Sequence, residues 1–219
     1  MRTKLLLLTA ALAAAGTLAS NAQVYSVNAV GYVNKTVTKN TFALLSNPLN
    51  ASNNSVSNVL ANVPDGTALY MWDTGTKSFK IDSFDSTFGG WQSLGSSNVN
   101  PGSGFFIKAP ADQDVKLTFV GEVPQGTGAN ALTTPLVPGF QIVSSQVPQA
   151  GTLTDLGYTA QDQDTVYQFD TTKQGYNIFA YDATFGSWSP DLKPVDVGEA
   201  VFLNTQKAGT WTRSFTVNQ

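Results

Sequence analysis

Asp85-Ser86-Thr87-Phe88-Gly89-Gly90-Trp91 returns as Asp182-Ala183-Thr184-Phe185-Gly186-Ser187-Trp188, an offset of 97 (85 to 182). The same offset joins Tyr70 to Tyr167, Asp73 to Asp170 and Phe79 to Tyr176. The chain reads as an internal duplication, and this decides the architecture. Before the repeated phrase, Ala68, Tyr70 and Trp72 alternate with Leu69 and Met71, and Phe79 and Ile81 alternate with Lys80 and Asp82. Alternation of period two marks strands. Asp73-Thr74-Gly75 and Asp170-Thr171-Thr172 mark the turns between them. The aromatic face of Tyr70 and Trp72, with Phe79 and Ile81, is assigned to the core. The repeated phrase itself reads as a hairpin connection. Its Asp and Thr bond the turn, Gly takes positive φ, and Phe and Trp plug the end of the module.

Further out, Phe42 to Ser46 and Phe140 to Ser145 are short apolar strands. Val56, Val59, Leu60 and Val63 fall at helical spacing, with Asn54 or Ser55 as cap and Pro64-Asp65-Gly66 as stop. The second copy keeps only Thr152 to Gly157, where Thr152 and Asp155 have capping-box spacing. Gly104 to Lys108 and Val201 to Leu203 are apolar on both faces. That predicts a central strand or one facing the other copy. Val115 to Val120 and Trp211 to Val217 close the copies. Val30-Gly31-Tyr32-Val33 resembles Val120-Gly121-Glu122-Val123, as though each copy began with an equivalent strand. Pro124 to Gly139 reads as the linker. The expected fold is all-β: two copies of about 90 residues, each a small β-sandwich or barrel-like module with one short helix or helical turn. Their bounds are 23–125 and 126–219.

Residues 1–22 read as a secretory signal peptide. Arg2 and Lys4 precede the apolar run Leu5 to Leu18, and Ser20-Asn21-Ala22 ends in a cleavage site. The run is shorter than a membrane span, and no second one follows. The expected location is therefore secreted: extracellular, periplasmic or cell-surface, with no membrane insertion after cleavage. Removing Arg2 and Lys4 from 12 Lys and Arg leaves 10 against 15 Asp and Glu, a side-chain net of −5. So sparse and acidic a surface argues against nucleic acid as a partner. The chain has neither Cys nor His. That excludes Cys nucleophiles, Ser-His-Asp triads and the usual zinc and haem sites, and no cofactor is expected.

The residues left for function are few. If Phe79 and Ile81 face inward, then Phe84, Phe179 and Tyr181 lie on the opposite face. There they would stack on a sugar ring or seal one copy to the other. With Trp91 and Trp188 they form the candidate ligand-binding set. Asp112, Asp114, Asp162 and Asp164 have an Asp-x-Asp spacing that can hold Ca²⁺, but neither pair has the full EF-hand loop, and a solvated turn is the favoured reading. Glu122 and Glu199 are the only Glu residues, and no spacing pairs either with a second carboxyl for glycoside hydrolysis.

Ser26-Val27-Asn28-Ala29-Val30-Gly31-Tyr32-Val33, Leu45-Ser46-Asn47-Pro48-Leu49, Pro101-Gly102-Ser103-Gly104-Phe105-Phe106, Val120 to Gly126 and Trp211-Thr212-Arg213 occur in that order. Together they resemble a large group of uncharacterised secreted β proteins typical of verrucomicrobial bacteria. The frame of Asn47-Pro48 followed by Pro101-Gly102-Ser103-Gly104-Phe105-Phe106 is also similar to small β modules in secreted proteins of Bacteroidetes-type bacteria. The resemblance implies bacterial export and a β fold, and brings no activity with it. The expected function is a secreted, non-catalytic surface or extracellular protein that binds a glycan or another protein. The alternatives are a self-assembling envelope or matrix subunit and a carboxylate-dependent glycoside hydrolase.

Overall fold

The computed structural model describes residues 29–217, so the expected signal peptide lies outside the described residues. The fold is all-β. The first half runs β1 (Val30–Val37), β2 (Phe42–Ser46), helix α1 (Val56–Val59), β3 (Ala68–Asp73), β4 (Ser78–Ser83), β5 (Gly104–Lys108) and β6 (Val115–Glu122). The second half runs β7 (Leu132–Leu136), β8 (Gly139–Val143), β9 (Thr165–Asp170), β10 (Gly175–Asp182), β11 (Ser187–Ser189), β12 (Val201–Thr205) and β13 (Gly209–Arg213). The strand order recurs. β1 pairs with β6 as β7 pairs with β13, and the sheet β2-β5-β3-β4 is matched by β8-β12-β9-β10, extended by β11. Every pairing is antiparallel.

Each half is a sandwich of a two-stranded ribbon on its sheet. In the first, Val37, Val115, Leu117 and Phe119 of the ribbon meet Leu45, Leu69, Phe105 and Ile107 of the sheet, with Val56, Leu60, Val63 and Trp91 closing the ends. In the second, Leu136 and Trp211 meet Val143, Val166, Phe179, Val201 and Leu203. The helical stripe is buried as its spacing predicts, though α1 is a single turn and Ser55 caps it without a side-chain bond. Thr152 and Asp155 form the expected capping box. Asp155 Oδ2 accepts from the Thr152 N–H and Thr152 Oγ1 accepts from the Asp155 N–H. Gly157 follows at φ 82°, a left-handed stop open to glycine.

The outer faces of the two sheets pack on each other in a third cluster. Leu44, Phe106, Ile142, Ala200 and Phe202 are buried there, flanked by Phe42, Tyr70, Trp72, Tyr167 and Phe169. Edge contacts stitch this seam. Ser46 N–H donates to Gly198 O and Ala200 N–H to Leu44 O, while Ser144 N–H donates to Gly102 O. The ring contacts recur across it: Phe42–Tyr70 at 5.5 Å matches Phe140–Tyr167 at 5.6 Å. Trp72–Phe202 at 5.1 Å matches Phe169–Phe106 at 5.2 Å. β5 and β12 are thus apolar on both faces because one face looks to its own core and the other to the seam.

Three sequence expectations are corrected. First, the faces of β3 and β4 are reversed. Leu69 is fully buried in the core, whereas Tyr70 and Trp72 face the seam, and Phe79 and Ile81 are 36% and 57% exposed. The inward residue of β4 is Asp82, only 7% exposed, at the position Phe179 fills in β10. Second, Val120–Glu122 does not open the second half. It pairs directly with Val30–Tyr32. The shared glycine has a packing cause: a Cβ at Gly31 would strike Leu49 Cδ2 at 2.6 Å, and one at Gly121 would strike the Asn50 carbonyl at 2.6 Å. Both glycines lie where residues 49–51 cross the ribbon. Third, the linker segment contains β7. Its Pro135 is tolerated because β7 has one neighbour only, β13.

Gly104 sits where the two sheets come closest. A Cβ there would meet Ala200 Cβ at 2.5 Å and collide with Ile142 Cγ2. Gly104→Val is expected to cost about 1–3 kcal/mol by overpacking the seam, read as a lower urea midpoint.

Candidate functional site

The repeated phrase forms a stapled turn in both halves. Asp85 Oδ1 accepts from the Thr87 N–H and Asp182 Oδ1 from the Thr184 N–H. Asp65 accepts from Ser86 N–H and Oγ, and Asp162 from the Ala183 N–H. Trp91 is buried and donates its indole N–H to Leu60 O at 3.0 Å. Trp188 is half-buried against Tyr181 at 5.3 Å and Tyr158 at 6.4 Å. The Phe of the phrase does not plug the module. Phe88 and Phe185 stand 73% and 79% exposed at the turn tips.

The structure places Phe84 and Tyr181 apart from the seam. Phe84 packs on Trp91 at 5.4 Å and under Gly90, at the margin of the first core. Tyr181 does the same on Trp188. Phe179 is 1% exposed inside the second core. The reversal of faces explains all three, because residues opposite Phe79 and Tyr176 point into the cores.

Three of the four aspartates, Asp114, Asp162 and Asp164, are structural staples. Asp164 is fully buried, accepting from the Tyr158 hydroxyl at 2.6 Å and the Gln161 N–H at 2.8 Å. Burial first, and then this carboxylate, push the Tyr158 phenol well above its ordinary range. Asp114 accepts from the Lys39 N–H, and Asp112 is exposed. No three of these groups converge on a metal position among the described residues. Glu199 spends both oxygens within the protein. Oε1 faces Lys35 Nζ at 3.5 Å and Oε2 accepts from the Asp196 N–H at 3.3 Å. The space that Glu199 and Asp196 line holds about 10 Å³, no more than a water.

A larger cleft opens at the other end of the seam. It encloses about 470 Å³ between Trp72, Thr74, Asn100, Ser103, Thr133, Ile142 and Gln146. That volume suits a small ligand. None of its lining residues is charged. Trp72 forms one wall, held by its indole N–H donating to Phe140 O at 2.7 Å. Gln146 is fixed by bonds to Thr133 O and Thr134 Oγ1. The Ser103 hydroxyl donates to Asn100 O at 2.6 Å. Among the described residues, the Asn100 amide and the Thr74 and Thr133 hydroxyls bond to no protein group, and all three residues are exposed. Beyond Trp72 the wall continues into an apolar groove of about 320 Å³ with Phe140, Tyr167, Tyr176 and Ile178.

The equivalent position across the seam carries an ion pair. Gly102 lies against Thr134, and its counterpart Gly198 lies against Lys35. Ser103 corresponds to Glu199, so neutral Thr134 and Ser103 stand where the other side has the Lys35–Glu199 pair. The cleft is therefore uncharged where its counterpart carries an ion pair. Sequence reading missed it. Its one visible signal is a departure from the repeat, with Trp72 against Phe169 and Ser103 against Glu199.

The chain matches no family model, no curated protein and no solved structure.

Proposed function

We propose that the chain is a secreted, non-catalytic binding protein of the cell surface or extracellular space, and that it takes a neutral glycan at the Trp72 cleft. One observation carries the reading: an indole wall bordered by unengaged amide and hydroxyl groups, with no charge in the lining. A sugar ring offers a C–H-rich face for stacking and a rim of hydroxyls for hydrogen bonds, and this cleft offers a partner for each. An acidic polysaccharide would have to leave its carboxylates unpaired against neutral walls. Export rests on the basic and apolar N-terminus, the bacterial setting on the resemblance to verrucomicrobial secreted proteins.

Calorimetric titration of the purified protein with soluble glycans tests the proposal. Neutral oligosaccharides are expected to bind with an affinity that barely changes with salt, because no charge pairs are formed. Binding confined to acidic or sulfated glycans, weakening as salt rises, would overturn it.

A further inference from the structure

Among the described residues, each of the two larger sheets keeps one edge that the other half does not engage: β4 ends the first sheet with no strand beyond it, and β11 covers β10 only from Ala180 to Asp182. The two edges carry the same pattern. Phe79 and Ile81 on β4 are 36% and 57% exposed; Tyr176 and Ile178 on β10 are 42% and 52% exposed. An exposed edge presents a row of unpaired N–H and C=O groups and is a template for another strand. Proteins guard such edges with charge, proline or bulges. β10 from Gly175 to Tyr181 has no charge and no proline. On β4 the one lysine, Lys80, is drawn back onto Asp73 at 2.6 Å.

The exposed residues also continue an existing interface. Phe79 touches Trp72 at 5.0 Å and Phe202 at 6.1 Å, and Tyr176 touches Phe169 at 5.4 Å. The seam aromatics therefore run outward past the area that the two halves cover for each other. Inside the molecule, that surface is covered by an equivalent surface of the other half. We propose that outside it the cover is a second copy of this chain, with β4 of one molecule pairing antiparallel to β10 of the next.

The seam sets the precedent for this pairing, since it joins a first-half sheet to a second-half sheet. Pairing β4 with β4 would bring two Lys80 side chains close together, and like charges across a ladder are destabilising. Against the uncovered stretch of β10, residues 175–179, Lys80 meets no charged residue of the strand itself, and Lys173, which reaches Asn177 there, is held by Asp170 as Lys80 is by Asp73. Such a contact is head-to-tail. Each molecule keeps one free β4 and one free β10, so growth is open-ended. A mature side-chain net of only −5 offers little repulsion against it.

Light scattering of the purified protein at rising concentration tests the pairing, with melting curves to confirm that each variant folds. Wild type is expected to form a ladder of oligomers. Ile81→Lys and Ile178→Lys are each expected to be monomeric, since every contact needs one strand of each kind. Mixed in equal amounts, the two variants are expected to form dimers and stop, joining the intact β10 of one to the intact β4 of the other. A wild type that stays monomeric at every concentration overturns the proposal. So does either variant assembling as wild type does, or the mixture giving only monomers. Ile81 lines neither the Trp72 cleft nor the groove beyond it, whereas Ile178 borders that groove, so glycan binding is read separately on Ile81→Lys.

Discussion

Trp91→Ala is expected to destabilise the protein by about 3–5 kcal/mol, while Trp188→Ala costs about 1–2 kcal/mol, although the two occupy the same place in the repeated phrase. The difference follows from the turn that precedes each. Gly89 and Gly90 stand at φ 87° and 97°, and these two left-handed residues swing Trp91 into the first core. There it fills a site that leaves it 7% exposed and satisfies Leu60 O. Removing it leaves both a cavity and a buried carbonyl without its donor. In the second half only Gly186 is left-handed, at φ 63°, and the chain continues as β11 with Trp188 on its rim. Trp188 packs on Tyr181 and Tyr158 and has room to be replaced by solvent. Denaturant unfolding of the two variants measures both values, and equal losses would contradict this account.

Asp82→Asn is expected to cost about 2–4 kcal/mol at neutral pH, since three backbone bonds lose their charge assistance and at least one loses its acceptor in a buried setting. Asp82 occupies a core position because its carboxylate holds the loop after the repeated phrase. Oδ2 accepts from the Ser93 and Leu94 N–H groups and Oδ1 from the Ser83 N–H. Burial pushes this carboxyl up. The N–H groups of Leu94, Ser93, Ser83 and Gln92 together outweigh burial and hold it below the ordinary aspartate range. A carboxylate depressed in the folded state contributes its stability above its unfolded pKa, about 3.9, and loses it as pH falls through the folded value. The gap between wild type and Asp82→Asn should therefore be full above about pH 5 and shrink progressively as pH falls below about 4 toward the folded value. A gap independent of pH would show that shape, not charge, is what Asp82 supplies.

Much of the fold was legible in the sequence, and the misreadings have physical causes. Turns were legible because Asp73, Asp85, Asp170 and Asp182 each bond the backbone two residues on, as the residue type leads one to expect. The two-sided apolarity of β5 correctly placed it between a core and another surface. Which face was which could not be read. Here a buried Asp82 and exposed Phe79 and Ile81 invert the usual pattern, and the aromatic seam looks as hydrophobic in sequence as a core does. β7 was hidden by its proline. The cleft was illegible for a different reason. Trp72 on β3, Asn100 before β5, Thr133 on β7 and Gln146 after β8 come from both halves. No window on one copy contains them. What does betray the cleft is asymmetry. Where two halves share strand order and ring contacts, the positions that break the match carry information, and Thr134 and Ser103 against Lys35 and Glu199 are such positions.

The repeat also supplies the control for the central claim. Trp72 and Phe169 are equivalent seam aromatics, each packed edge-to-face on the other half at nearly the same distance. Only Trp72 lines the cleft. Titrating Trp72→Ala and Phe169→Ala with the same neutral glycan separates binding from seam packing. The account expects Trp72→Ala to lose about tenfold or more in affinity, a stacking loss of roughly 1–3 kcal/mol, while Phe169→Ala binds as wild type does. Equal affinity in both variants, or a loss shared by both, would contradict it.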